Sequence, residues 1–211
     1  MPVLALAFLA VYGLLAFGVR MVVQVRRTGS TGFAALRAAS GSMRRAGELL
    51  FSIAIVLCLV GGPVLQLSGT LDPVGALVGE APKILGIVLA LLGLALTVLA
   101  QFAMGDAWRI GVDPREHTEL VTGGPFAAVR NPIYAAMIPA FAGISLLTPN
   151  VVTLAGATLV MVALELQTRL IEEPHLRAIH GERYAAYAAR VGRFFPGVGR
   201  LCREGERPAR A

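Results

Sequence analysis

The residues best suited to chemistry lie at 120–134, Leu-Val-Thr-Gly-Gly-Pro-Phe-Ala-Ala-Val-Arg-Asn-Pro-Ile-Tyr, and at Glu172-Glu173 forty residues later. Gly123-Gly124-Pro125 can turn sharply and let backbone N–H groups approach a ligand without side-chain interference. Asn131-Pro132 is helix-starting chemistry, with asparagine in the N-cap position and proline in the first turn. Tyr134 falls about one turn into that helix and can aim its hydroxyl back at the same mouth. Arg130 suits either a ligand or a membrane-boundary anchor. Glu165, Gln167 and Arg169 interrupt an otherwise apolar run, and ionisable groups inside a span mark functional sites because burying them in lipid is costly. Glu165 and Arg169 are spaced i,i+4, and Glu172 lies i+3 from Arg169, so the three predict one helical stripe. It reads either as a self-neutralising pair near the interface or as a cavity wall. In the second reading Arg169 faces a polar or anionic substrate group and Glu172 a cofactor. Polar groups from two segments at one membrane boundary suit a water-soluble cofactor serving a lipid-dissolved substrate.

Other chemistries find little support. His117, His175 and His180 lack a convincing metal-ligand set. Cys58 and Cys202 have neither metal nor obvious disulfide spacing, and no Ser/His/Asp or Cys/His arrangement offers a nucleophile. Trp108 reads as an interfacial anchor.

The elements that position these groups are apolar helices. Of 211 residues, 56% are hydrophobic and 15% charged, against about 25% charged in soluble domains. Mean hydropathy is +0.70. Several runs reach the roughly 20 residues needed to cross a bilayer. The expected architecture is all-α and integral to the membrane, with five transmembrane helices at about residues 2–25, 49–67, 84–104, 133–147 and 151–171. The last two form a helical hairpin through Thr148-Pro149-Asn150, and amphipathic interfacial helices punctuated at Gly181 follow. Phe194-Phe195-Pro196 is expected to end them by dipping into lipid. The first run has no basic residue before it and is longer than a signal peptide's apolar core, so it reads as a retained span.

Arginines set the orientation. Five lie between Arg26 and Arg45 and eight between Arg177 and Arg210, whereas the loop between the second and third spans has only Lys83. The positive-inside rule then puts the N-terminus outside and the C-terminus in the cytoplasm. It also accounts for the net charge of +6 without nucleic acid. The arginine, alanine and glycine bias points to a bacterial source and so to its inner membrane. The chain divides into residues 1–100 (the first two spans and most of the third), a 101–200 core carrying the site, and a disordered basic tail at 201–211.

The combined constellation resembles the isoprenylcysteine carboxyl methyltransferase family and its bacterial relatives, which include phospholipid methyltransferases. The shared residues are Leu120-Val121, Gly124-Pro125-Phe126, Arg130-Asn131-Pro132, Tyr134, Glu172-Glu173, Leu176, Gly181, Tyr184, Tyr187 and Phe195-Pro196. The resemblance covers about residues 101–200. It implies S-adenosylmethionine as methyl donor, a cytoplasm-facing cofactor pocket closed by the C-terminal segment, and an opening to lipid for a lipophilic or lipid acceptor. By position it assigns the cofactor to Thr118, Leu120, Val121, Phe126, Asn131, Pro132, Ile133, Tyr134 and Glu172. Glu165, Thr168 and Arg169 fall to the substrate, with Arg169 and Glu172 as the catalytic pair. Departures are Asn131 for the family's histidine, Ala136 for a glycine, and Thr168 where eukaryotic members carry the carboxylate-binding arginine, one residue before Arg169. Membrane steroid or enone reductases using NADPH show a related pattern, and a non-catalytic membrane subunit is a third reading.

Overall fold

The computed structural model describes residues 1–32, 42–108 and 119–201, the side chains of 42–44 excepted. The described residues are helical and carry no strand, only one isolated parallel bridge between Val129 and Gly192. Helix α1 is Pro2–Thr28, α2 Arg45–Leu67, α3 Glu80–Ala103, α4 Pro125–Ala128, α5 Pro132–Leu147 and α6 Val151–Arg190. Four of these, α1, α2, α3 and α6, are long and apolar enough to cross a membrane. Helix α5 has 16 residues, about 24 Å at 1.5 Å per residue, and falls short of a hydrocarbon core of about 30 Å. The fifth crossing expected from the sequence rests on this short helix. Helix α6 has 40 residues, about twice what a bilayer needs. Its first half is the apolar stretch suited to a crossing, and the remainder is more polar.

Local chemistry explains the ends. Gly29 closes α1 in the left-handed region (φ 73°) with its N–H on the Val25 carbonyl, the usual glycine stop. Asn150 caps α6: its Oδ1 accepts from the Val152 and Thr153 amides at 3.1 and 3.0 Å. Its Nδ2 donates to the Gly62 carbonyl and to Gln66 Oε1, both at 2.9 Å. One buried side chain thus starts α6 and ties the α5–α6 hairpin to α2. Asn150→Ala removes the cap and the ties to the Gly62 carbonyl and Gln66, and caps alone contribute about 0.5–2 kcal/mol. A lower melting temperature in detergent is expected for Asn150→Ala. A smaller drop is expected for Asn150→Asp, which keeps the cap acceptor.

Helix pairing relies on small residues, as in lipid, where close backbone approach replaces the hydrophobic drive. A Cβ on Gly93 would lie 2.5 Å from the Ala140 amide, and one on Gly143 2.5 Å from the Ala90 amide. This locks α3 onto α5. Gly156 likewise meets Cys58 and joins α6 to α2. The main core gathers Ala54, Cys58, Met137, Phe141, Ile144, Val160 and Leu164 from α2, α5 and α6.

Past the crossing, α6 is twice disturbed. Residues Thr168–Glu172 form a π turn, and Gly181 (φ 50°, ψ −127°) breaks the following stretch in two. The break at the expected glycine reflects a conformation that side-chain-bearing residues rarely adopt. The chain then doubles back, with the Arg130 and Asn131 amides donating to the Gly192 and Arg193 carbonyls at 2.8 and 3.1 Å. Of the aromatic pair expected to dip into lipid, only Phe195 is exposed. Phe194 turns inward and meets the Tyr134 ring edge-on, centroids 6.4 Å apart. Leu201 is held to the Ala188 carbonyl at 3.0 Å, and residues 202–211 of the expected tail lie outside the described residues.

Candidate active site

Two adjacent carboxylates, Glu172 and Glu173, have different partners because successive helical residues point about 100° apart. Glu173 is buried between two guanidinium groups. Arg130 Nη2 donates to its Oε1 at 2.6 Å, and Arg193 binds it through Nε and Nη2, both at 2.9 Å. Arg130 further donates to the Ala188, Val191 and Gly199 carbonyls. Hydrogen bonding to Glu173 pushes the Arg193 pKa up, against the opposing effect of burial. The Arg130–Glu173–Arg193 group therefore fastens the loop before α5 to the doubled-back C-terminal segment. Arg130, read from the sequence as either a ligand group or a membrane-boundary anchor, here fastens one part of the protein to another.

Glu172 points the other way. Tyr134 Oη donates to its Oε1 at 2.5 Å, and Gln167 Nε2 reaches both Tyr134 Oη (3.1 Å) and Glu172 Oε1 (3.2 Å). Above this cluster the glycine turn behaves as its composition implies: Gly124 takes φ 58° and α4 follows. Tyr187 Oη donates to the Phe126 carbonyl at 2.6 Å, so the C-terminal helix holds the loop from the far side. Leu120 packs on the Tyr184–Tyr187 pair.

Between these pieces lies a cavity of about 480 Å³, within the 300–1,000 Å³ typical of small-molecule sites. Leu120, Val121, Phe126, Asn131, Pro132, Ile133, Tyr134 and Glu172 all line it. Thr118 lies outside the described residues.

The expected substrate residues are placed elsewhere. Arg169 is largely exposed and pairs with Glu165, which also accepts from Arg193 Nη1 at 2.8 Å. Thr168 is fully buried, and none of the three lines the cavity. The π turn is the cause: its i→i+5 register inserts an extra residue, so Glu165 and Arg169 no longer share a stripe with Glu172. The Asn131 side chain makes no cap bond; its amide instead turns to the Arg193 carbonyl at 3.4 Å. Trp108, expected as an interfacial anchor, is buried against the Arg20 guanidinium, 4.7 Å from ring centroid to Cζ, and lines the cavity.

The deeper wall was missed from the sequence. Tyr12 of α1, Ser52 of α2, and Thr97 and Gln101 of α3 line the same cavity. A signal existed, since each is a polar residue inside an apolar run, the pattern already recognised at Glu165–Arg169. Among the described residues, no group of three or more His, Cys, Asp or Glu stands where it could hold a metal ion.

A helical membrane protein with a sizeable cavity lined by polar groups from two segments suits a membrane enzyme, and sequence comparison adds a likeness. Residues 82–183 match the family model for phospholipid methyltransferase. The match covers just under half of the chain and is a likeness to integral membrane methyltransferases. A similar protein is the nickel-cobalt-cadmium resistance protein NccN of Alcaligenes xylosoxydans xylosoxydans, 30% identical over 108 residues, or 51% of this chain and 50% of that protein. The chain thus spans about half the length of that relative.

Proposed function

We propose that the protein is an S-adenosylmethionine-dependent methyltransferase acting on a lipophilic acceptor. It works at the cytoplasmic face of a bacterial inner membrane, with its N-terminus outside. The observation that carries this reading is one continuous cavity joining the Tyr134–Gln167–Glu172 cluster to polar groups within the apolar helices. The arginine distribution supports the orientation, and the family match supports methyl transfer.

The lining fits such a donor molecule. Leu120, Val121, Phe126 and Ile133 offer apolar wall for a purine, and the Glu172 carboxylate and Tyr134 hydroxyl offer partners for its polar and cationic groups. When bound, S-adenosylmethionine supplies a methyl group whose bond to a sulfonium sulfur breaks as the bond to the acceptor forms, leaving a neutral thioether. The protein's contribution is alignment and exclusion of water. Tyr134 and Gln167 orient Glu172, and the Arg130–Glu173–Arg193 group holds the C-terminal wall over the loop. With Arg169 turned outward, recognition of the acceptor falls to the cavity's own lining.

Differential thermal stability in detergent tests the reading. S-adenosylhomocysteine at 100 times its dissociation constant adds about 2.7 kcal/mol, and NADPH adds nothing. Stabilisation by NADPH instead would transfer the site to the reductase reading.

A further inference from the structure

We propose that the turn at 193–200 is a membrane-surface anchor. Phe195 and Val198 enter lipid at the bilayer boundary, and the nearby Arg169 and Arg200 bind the phosphate of an anionic phospholipid. The inference is independent of the methyltransferase reading, because it concerns the outer face of the C-terminal segment and not the cavity. The turn is closed by its own backbone. The Arg193 amide donates to the Val198 carbonyl at 2.7 Å, and the Val198 amide to the Phe195 carbonyl at 3.1 Å. Gly197 and Gly199 take φ 76° and 72°, a region that glycine enters without strain. Two large apolar side chains nevertheless face outward, Phe195 54% and Val198 61% exposed.

The depth of the turn follows from its partners. Arg193 Nη1 donates to Glu165 Oε1 at 2.8 Å. Glu165 is the fifteenth residue of α6, about 22 Å along the helix and short of the ~30 Å that a hydrocarbon core spans. Phe194, the neighbour of Phe195, packs on Tyr134 and on the main core of α2, α5 and α6. The turn therefore stands beside the last turns of the apolar half of α6, at the lipid boundary. Charge lies on the same surface. Arg130, Arg193 and Arg169 share two carboxylates, Glu173 and Glu165. The outermost of the three guanidinium groups, Arg169, is 58% exposed. Arg200 is exposed as well, and its guanidinium folds back over Gly197, where an added Cβ would lie 3.3 Å from Nη2. Hydrocarbon suits the outward Phe and Val, and phosphate suits the guanidinium forks. A protein partner would have to displace the lipid that surrounds α5 and α6 at this depth, so the occupant we assign is lipid.

Phe195→Trp and, separately, Val198→Trp place a reporter on the turn. The unsubstituted chain, whose single tryptophan is Trp108, gives the background. Each full chain is reconstituted in nanodiscs of phosphatidylcholine, part of which is replaced by chain-brominated phosphatidylcholine or, at equal mole fraction, chain-brominated phosphatidylglycerol. Bromine quenches tryptophan on contact. Both reporters are expected to be quenched by the brominated phosphatidylcholine beyond the Trp108 background. The brominated phosphatidylglycerol is expected to compete for the turn about fivefold better, the effect of one arginine at an anionic surface. Arg169→Gln combined with Arg200→Gln is expected to abolish that preference and leave quenching by the phosphatidylcholine in place. Thermal unfolding by circular dichroism identifies the folded variants, and two reporter positions keep the test open if one of them fails to fold. No quenching beyond background, equal competition by the two lipids, or a preference surviving the double substitution in folded protein would overturn the anchor. None of these results bears on S-adenosylhomocysteine binding, and absence of that binding would leave the anchor standing.

Discussion

Glu172→Gln is expected to weaken S-adenosylhomocysteine binding by about 10- to 100-fold, the loss of one charged hydrogen bond of about 1.5–3 kcal/mol. The neighbours of Glu172 hold it in place. Its Oε1 already accepts from Tyr134 and Gln167, so the carboxylate's position is fixed before any ligand arrives. A neutral amide keeps the volume but removes the charge, and it presents an N–H where acceptors are needed. Tyr134→Phe leaves the charge and removes one orienting bond, so its effect should be smaller, about 0.5–1.5 kcal/mol. Because the two groups touch, the double variant should lose less than the sum of the singles. Isothermal titration calorimetry of all three proteins checks both the order and the coupling. Unchanged affinity in Glu172→Gln would remove this residue from the cofactor site.

Arg130→Met should lower stability by about 3–5 kcal/mol, the usual cost of removing one partner from a buried ion pair. Arg130 is almost wholly enclosed, its side chain 1% exposed, and it satisfies Glu173 together with the carbonyls of Ala188, Val191 and Gly199. Arg130→Lys should recover little, because one ammonium cannot reproduce the planar fork that reaches several acceptors at once. Arg169→Ala provides the contrast. Its side chain is 58% exposed, and Glu165 keeps Arg193 as a second partner when Arg169 is removed, so a loss of at most about 1 kcal/mol is expected. Thermal unfolding in detergent, followed by circular dichroism, should therefore separate two arginines that the sequence presents as similar. Because Arg130 fastens the C-terminal segment to the loop before α5, its loss should also weaken S-adenosylhomocysteine binding without touching a lining carboxylate.

The parts of this architecture written in local chemistry were legible in the sequence. Thr148-Pro149-Asn150 is turn and cap chemistry in three residues, and it makes the hairpin. Gly181 breaks the C-terminal helix where a glycine was flagged. Tyr134 and Glu172 do meet, because a residue one turn into α5 and another at the end of the α6 crossing face the same boundary. Features that depend on helix rotation were not legible. Assuming a regular α register placed Arg169 beside Glu172, and the π turn at Thr168–Glu172 separated them. The same assumption gave no means of telling Glu172 from Glu173, whose roles differ through contacts with Arg130 and Arg193 that are remote in sequence. Tyr12, Thr97 and Gln101 went unnoticed for a related reason. In helices apolar on every side, periodicity does not mark the inward face, so isolated polar residues were the remaining signal. Trp108 and Phe194 turned inward where the usual behaviour of aromatics at a membrane boundary placed them outward.

On the proposed function, residues of α5 and α6 together hold S-adenosylmethionine in the cavity. Titration of the detergent-solubilised full chain with S-adenosylhomocysteine, by calorimetry, tests it most directly. Saturable one-site binding that Glu172→Gln weakens by about tenfold or more is the predicted result. No heat with S-adenosylhomocysteine, or binding that is indifferent to Glu172, would contradict the account.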